Sequence, residues 1–249
     1  ASLRPTRTVE FEVHSPSDAH AMFDVHPNQQ GGSLLRRLEQ YLGPERVREG
    51  VGHSLALHAH ANTETADLWD AIEATSGEPV RQIMDPWIWQ PGYPLVSASL
   101  DGTSTLRLQQ HRFLFDGDAG TDELTWPVPI HVRMGDTTTT VLLDSSETTI
   151  PLDDADLTVV VNAGGSGYFR VGYDDELRNR LGPDALSQLT TLERYNLVDD
   201  AWAATIAGEL APIDLLAFLE GFSDERAHAA AVHRAGLLQD AGDAEGDAP

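Results

Sequence analysis

The sequence predicts a multidomain α+β chain: a helical unit, a seven-stranded β-sandwich and a second, incomplete helical unit. Three observations carry this. Apolar residues recur near every 3.6 positions over roughly the first 90 residues, the period drops to about 2 at Gly92 for about eighty residues, and it returns to the helical value from Asp174. The chain has 249 residues, 41% of them hydrophobic, which is enough to bury cores of this size. The units are placed at 1–92, 93–174 and 175–235, with 236–249 as a disordered acidic tail.

The elements follow in order. "TVEFEV" (8–13) alternates and reads as a short strand, and "SPSDAHAMFD" as a short helix capped by Ser15 or Ser17. Leu34, Leu35, Leu38, Tyr41 and Leu42 set a helix over 31–42, which Gly43-Pro44 ends. Further helices fit 45–60, 64–75 with Thr63 or Thr65 as cap and Leu68, Trp69 and Ile72 as the buried stripe, and 79–87. Seven strand candidates follow at 93–100, 104–115, 126–134, 138–144, 148–152, 157–162 and 167–174, separated by Asp-Gly, Gly-Asp and Asp-Asp turn signals. Short strands with hairpin-length connections point to a sandwich. After Asp174, Leu189, Leu192, Tyr195, Trp202 and Ile206 share one helical face, and Ile213 to Phe222 form another helix behind Pro212.

Charge excludes several functions. Forty acidic residues stand against 16 basic ones, all arginine, for a net charge of −24. Such a surface repels a phosphate backbone, so nucleic acid and anionic membrane are not expected partners. The absence of lysine removes Schiff-base chemistry, and the absence of cysteine removes disulfides and thiolate metal sites. At molar salt the Debye length falls to about 3 Å, which screens this self-repulsion. The expected setting is therefore the cytoplasm of a high-salt organism. No signal-peptide layout opens the chain, and no apolar run approaches a membrane span.

Local candidates for chemistry are weak. His58 and His60, with His53 and Glu64 nearby, invite a metal reading, but residues i and i+2 of a helix point to different faces. Surface or satisfied histidines are expected. Ser166 lies among glycines in "NAGGSGYFR", yet Tyr168 stands where a nucleophile elbow needs its last glycine, so a hairpin turn is expected. The pairs Asp153/Asp154 and Asp199/Asp200 lack an apolar neighbourhood and read as solvated surface. The stretch "DPWIWQPGYPLVSAS" (85–99) sits where the period changes. Pro86, Pro91 and Pro94 stiffen it, Gly92 allows the reversal, and Trp87, Trp89 and Tyr93 are expected to pack between the units as a pin.

At this point the sequence resembles the zinc metallopeptidases of the aminopeptidase N type, which include the tricorn-interacting aminopeptidases. The end of their thermolysin-like domain is similar to "GGSLLRRLEQYLG" and "TADLWDAIEATSGEPVRQIMDPWIWQPGYPLV". Their β-sandwich is similar to "LQQHRFLF", "WPVPIHVR" and "VVVNAGGSGYFRVGYD", and the start of their helical domain to "TLERYNLVDDAWA". The matches run in order from about Thr6 to Phe222, beyond which the resemblance fades.

The resemblance implies a zinc site built from H-E-x-x-H and a later glutamate, with G-x-M-E-N holding the substrate amine. Neither motif occurs in the 249 residues. No metal-binding, cofactor-binding or catalytic residue is therefore expected in this chain. A tyrosine that stabilises the oxyanion precedes the glycine of a Tyr-x-x-Gly segment in the family. Anchoring on "MFD" (22–24) and Gly31-Gly32 puts Asn28 there, with Tyr41 the nearest tyrosine. Loss of such a donor costs on the order of 100- to 1,000-fold in rate. The expected function is thus the C-terminal portion of an aminopeptidase, inactive alone and handling peptides only when completed by the catalytic half. The alternatives are a non-catalytic interaction module derived from that family and a truncated remnant. Apolar flanks are expected to favour self-association or a partner chain.

Overall fold

The structure is a computed structural model, and it describes residues 8–10, 25–115, 123–154 and 156–222. Residues 8–10 form a bend rather than the start of a strand, and the N–H groups of Val9 and Glu10 both donate to the Ile88 carbonyl. Residues 11–13, the helix expected after Ser15 and Ser17, and the tail 236–249 lie outside the described residues.

Among the described residues four helices come first. Helix α1 (Val25–Leu42) begins earlier than the expected residue 31 and carries Gly31-Gly32 inside it. Gly43, at φ 90°, separates it from α2 (Pro44–Leu57), which Pro44 opens. Helix α2 stops before the expected residue 60, and His60 adopts φ 64° beyond its end. It lies hard against α3 (Thr65–Ser76), since a Cβ on Gly50 would fall 2.7 Å from Ile72. The cap of α3 is Glu64 and not Thr63 or Thr65: the Glu64 N–H donates to the Asp67 carboxylate at 2.8 Å. Helix α4 (Val80–Trp89) runs through Pro86 and past the expected end at 87.

Seven strands follow among the described residues: β1 (Pro94–Leu100), β2 (Thr105–Arg112), β3 (Val128–Met134), β4 (Thr137–Leu143), β5 (Glu147–Pro151), β6 (Val159–Val161) and β7 (Arg170–Tyr173). They form a four-stranded sheet, order β5-β2-β1-β7, and a three-stranded sheet, order β4-β3-β6. All neighbours are antiparallel except β1 and β7. Only β1–β2 and β3–β4 are joined as hairpins. The other connections cross from one sheet to the other.

One hydrophobic core joins the first helices to both sheets: Leu34, Leu38, Ile72 and Trp87 belong to the same buried cluster as Val96, Leu108, Ile130 and Val161. The sheets are also tied by a polar clamp. Gln110, buried on β2, accepts from the Trp126 N–H at 2.9 Å and donates to the carbonyls of Trp126 at 2.8 Å and Ser145 at 2.7 Å. Gln110→Leu keeps the volume and strands these groups away from water. We expect a loss of about 3 kcal/mol, read from the midpoint of urea unfolding.

The chain then returns to helices: α5 (Asp175–Arg180), α6 (Pro183–Ser187), α7 (Thr191–Ile206) and α8 (Pro212–Glu220). Their own cluster centres on Leu189, Leu197, Val198, Leu215, Leu219 and Phe222. The face of α7 differs from the expected one. Leu192 and Ile206 are about half exposed, at 48% and 46%, while Glu193, Leu197, Val198, Asp200, Ala203 and Ala204 are buried. Two carboxylates inside the buried stripe rotate the helix away from the face that apolar spacing alone selects.

Candidate functional site

The junction segment behaves as a pin in two of its three aromatics. Trp87 is buried, and its indole N–H donates to the Pro127 carbonyl at 3.0 Å. Its ring centroid lies 6.0 Å from Trp126 and 6.2 Å from Tyr168. Tyr93 packs 5.5 Å from Tyr168 and 5.7 Å from Phe113. Trp89 does not join them; it is 50% exposed. Over the Trp87 ring, 3.5 Å from its centroid, lies the guanidinium of Arg37, which is buried and has no hydrogen-bond partner among the described residues. Burial pushes Arg37 down to about 9, so it stays charged at neutral pH with the ring face as its counterpart.

The expected site positions are scattered. Asn28 lies in the first turn of α1, and its side chain is outside the described part. Tyr41 lies thirteen residues further along the same helix, about 20 Å at 1.5 Å per residue, and cannot take its place. The Tyr41 phenol is pushed up by burial and by Glu78. His53 and His60 are exposed, and His58 pairs its Nδ1 with the Ser54 carbonyl at 3.1 Å and lies 3.8 Å from Asp67. Glu64 is committed to the cap of α3.

Ser166 lies in the connection from β6 to β7, and this is no hairpin. The two strands belong to different sheets, and the loop crosses between them. Its shape comes from close packing: the Gly167 N–H donates to Asn162 Oδ1 at 2.7 Å, and a Cβ on Gly167 would sit 2.2 Å from the Phe169 ring.

The carboxylate pairs split. Asp153 and Asp154 are exposed, but Asp200 is buried, which corrects the expectation of solvated surface at Asp199/Asp200. Asp200 reaches from α7 to the free edge of the four-stranded sheet. It accepts from the Val171 N–H at 3.1 Å and from Arg170 at 3.0 Å, while Asp199 holds the same guanidinium. Burial pushes Asp200 up to about 7 against the pull of Arg170, and Arg170 is raised by its two carboxylates despite burial.

Glu193 does the same for the other sheet. It is buried one turn into α7 and accepts from the N–H groups of Thr190 and Gly164, each at 2.8 Å. Arg133 of β3 lies 3.0 Å away. Burial would raise Glu193, yet these three donors hold it below the usual carboxylate range. On β6, the Val161 N–H donates to the Tyr173 phenol at 2.8 Å, and burial pushes that phenol well up. This buried polar seam at the helix–sheet boundary escaped the sequence reading. One signal for it existed: Thr190-x-x-Glu193 is a capping box.

Comparison with known proteins decides the family. The model of the Peptidase family M1 domain matches residues 1–87, and that of the ERAP1-like C-terminal domain matches residues 158–243. The chain is 36% identical over 227 residues to Tricorn protease-interacting factor F2 of Thermoplasma acidophilum, covering 91% of this chain and 28% of that protein. It is 34% identical over 242 residues to Aminopeptidase M1 of Arabidopsis thaliana, covering 90% of this chain and 27% of that protein. This chain belongs to the M1 aminopeptidase family. A third relative, Leucyl aminopeptidase of Saccharolobus solfataricus, is 31% identical over 212 residues, 84% of this chain and 26% of its own length. The chain thus spans little more than a quarter of the length of these relatives. The family match continues to residue 243, past Phe222, where the resemblance was expected to fade.

M1 membership implies zinc, which needs three or four converging His, Cys or carboxylate donors. Among the described residues no three His, Cys, Asp or Glu side chains converge in a way that could hold a metal ion. The histidines of α2 and its C-terminal turn diverge, and the buried carboxylates of α7 are committed to Arg133, Arg170 and backbone N–H groups. The residues described do not fit zinc.

Proposed function

We propose that this chain acts as the C-terminal brace of an M1 zinc aminopeptidase and does not hydrolyse peptides by itself. The observation that carries this is the order of the two family matches, with the peptidase-domain match at the start and the ERAP1-like C-terminal match at the end. In this reading residues 1–92 end a thermolysin-like domain, 93–174 are a seven-stranded sandwich and 175–235 open a helical domain. The Trp87 pin and the polar seam support it, because each ties one unit to the next, while the Gln110 clamp ties the two sheets of the middle unit together. The brace would meet peptides only beside a catalytic half bearing H-E-x-x-H and G-x-M-E-N. We place its work in a concentrated-salt cytoplasm, on the strength of the −24 charge.

A second reading, a non-catalytic module derived from the family, is favoured by Asn28 at the oxyanion-tyrosine position. Exposed apolar side chains at Val51, Leu55 and Leu57 on α2, and at Leu192, Ile206 and Ile213 at the other end, offer surfaces for self-association or a partner in either reading. The test is direct. The purified chain, with zinc and leucine p-nitroanilide in concentrated salt, is expected to release no anilide above the protein-free rate. Turnover that is lost on chelation would overturn the proposal.

A further inference from the structure

The helices α7 and α8 cover the outer face of the four-stranded sheet unevenly. At one end Leu95 and Phe113 pack tightly against Ala203 and Ala207. At the other end the side chains are small. Ser97 and Ser99 of β1 alternate with the core residues Val96 and Ala98 and so point outward, and Gly172 of β7 lies beside Ser97 in register. Opposite them stand Leu197, Ala201 and Ala204 of α7, with Leu210 and Phe218 beyond. The result is a hollow of about 300 Å³, at the lower end of the range for small-molecule pockets.

The mouth of this hollow is strongly acidic. Asp174, Asp175, Glu176, Glu209 and Asp214 line it together with the guanidinium of Arg178. Three of the carboxylates are already committed within the chain: Asp174 accepts the N–H groups of Leu100 and Leu177, Asp175 is held by Arg178, which also donates to the Tyr173 carbonyl, and Glu176 is held by Arg180 at 2.6 Å. Glu209 is partly exposed and lies 3.2 Å from His111. An interior that is apolar on its helix side, with Gln109 and Asp200 also on its wall, behind a mouth rich in carboxylates complements an apolar body that ends in a positive charge.

We propose that this hollow is a binding site for a small organic ammonium ion with an apolar body, which seats its apolar part over Ser97, Ser99 and Gly172 and leaves its charge at the carboxylate mouth. The ammonium can belong to a free amine or to the N-terminus of a short apolar peptide. The site lies on the sheet–helix boundary and does not depend on the brace reading.

The test titrates the full 249-residue chain with 4-phenylbutylamine by calorimetry and NMR, with 4-phenylbutyrate as the same body of opposite charge. Salt is held near 0.15 M, where charges within about 8 Å still act on one another. We expect the amine to bind about tenfold or more tighter than the carboxylate. Ser97→Leu, which fills the floor from the outer face, should abolish amine binding while the melting curve stays cooperative. Ala201→Leu fills the hollow from the opposite wall and serves if the first variant does not fold. Leucyl-leucinamide distinguishes the sources: binding assigns peptide N-termini as well as amines to the site, and no binding restricts it to free amines. Equal affinity for amine and carboxylate, no binding of either, or full binding to a folded filled variant would overturn the proposal.

Discussion

Glu193→Ala is expected to destabilise the chain by about 3–5 kcal/mol, the usual cost of removing one partner from a buried charge pair. The carboxylate is almost fully inaccessible, and three donors converge on it from three elements: Thr190 at the start of α7, Gly164 in the β6–β7 crossover and Arg133 on β3. Alanine leaves two N–H groups and a guanidinium without their acceptor. Glu193→Gln keeps one acceptor oxygen but turns an amide toward Arg133, so an intermediate loss is expected. Urea unfolding of the three proteins at neutral pH measures this. The dependence on pH has a definite sign. The folded state holds Glu193 below its ordinary value, so its contribution is complete above the unfolded carboxylate range and fades as pH falls through the lower folded value. An unchanged midpoint in Glu193→Ala would show that the seam does not bind α7 to the sheets.

Asp200→Ala is expected to cost about 3 kcal/mol, at the low end of the same range, because Arg170 keeps Asp199. The Val171 N–H at the sheet edge loses its acceptor as well. Here the pH sign is reversed. Burial raises Asp200 from 3.8 to about 7, so between those values the folded chain binds a proton that the unfolded chain releases. The stability Asp200 contributes is therefore full at the acid end and declines until pH passes about 7. Asp200→Asn does not titrate. Melting temperatures of wild type and Asp200→Asn across this window should show the wild type losing ground as pH rises. Parallel curves would refute the assignment.

Both residues show what kept the seam from being read in the sequence. Forty acidic residues make every Asp and Glu look like surface, and apart from the Thr190–Glu193 capping box nothing around "LERYNLVDD" marks Glu193 and Asp200 as interior. Burial of a charge is decided by donors on other elements. Arg133 and Arg170 lie 60 and 30 residues away from their partners. The same cause misplaced the buried face of α7, where Leu192 and Ile206 were expected inside. By contrast, the helix over 64–75 and the strands between 93 and 174 were legible to within a few residues, because they rest on period and turn chemistry, which are local. The crossovers between sheets were not, since a turn signal does not say which sheet receives the next strand.

The candidate site divides in the same way. The family, the absence of H-E-x-x-H and G-x-M-E-N from the 249 residues and the asparagine at position 28 all follow from residue order alone. It took long-range packing to select Trp87 over Trp89 as the junction's pin, to make Gln110 a clamp between two sheets and to bury Asp200 and Glu193. The physical reason is range. Propensity and periodicity act over a few residues, whereas desolvation and hydrogen-bond satisfaction depend on which distant segments the fold brings to the same place.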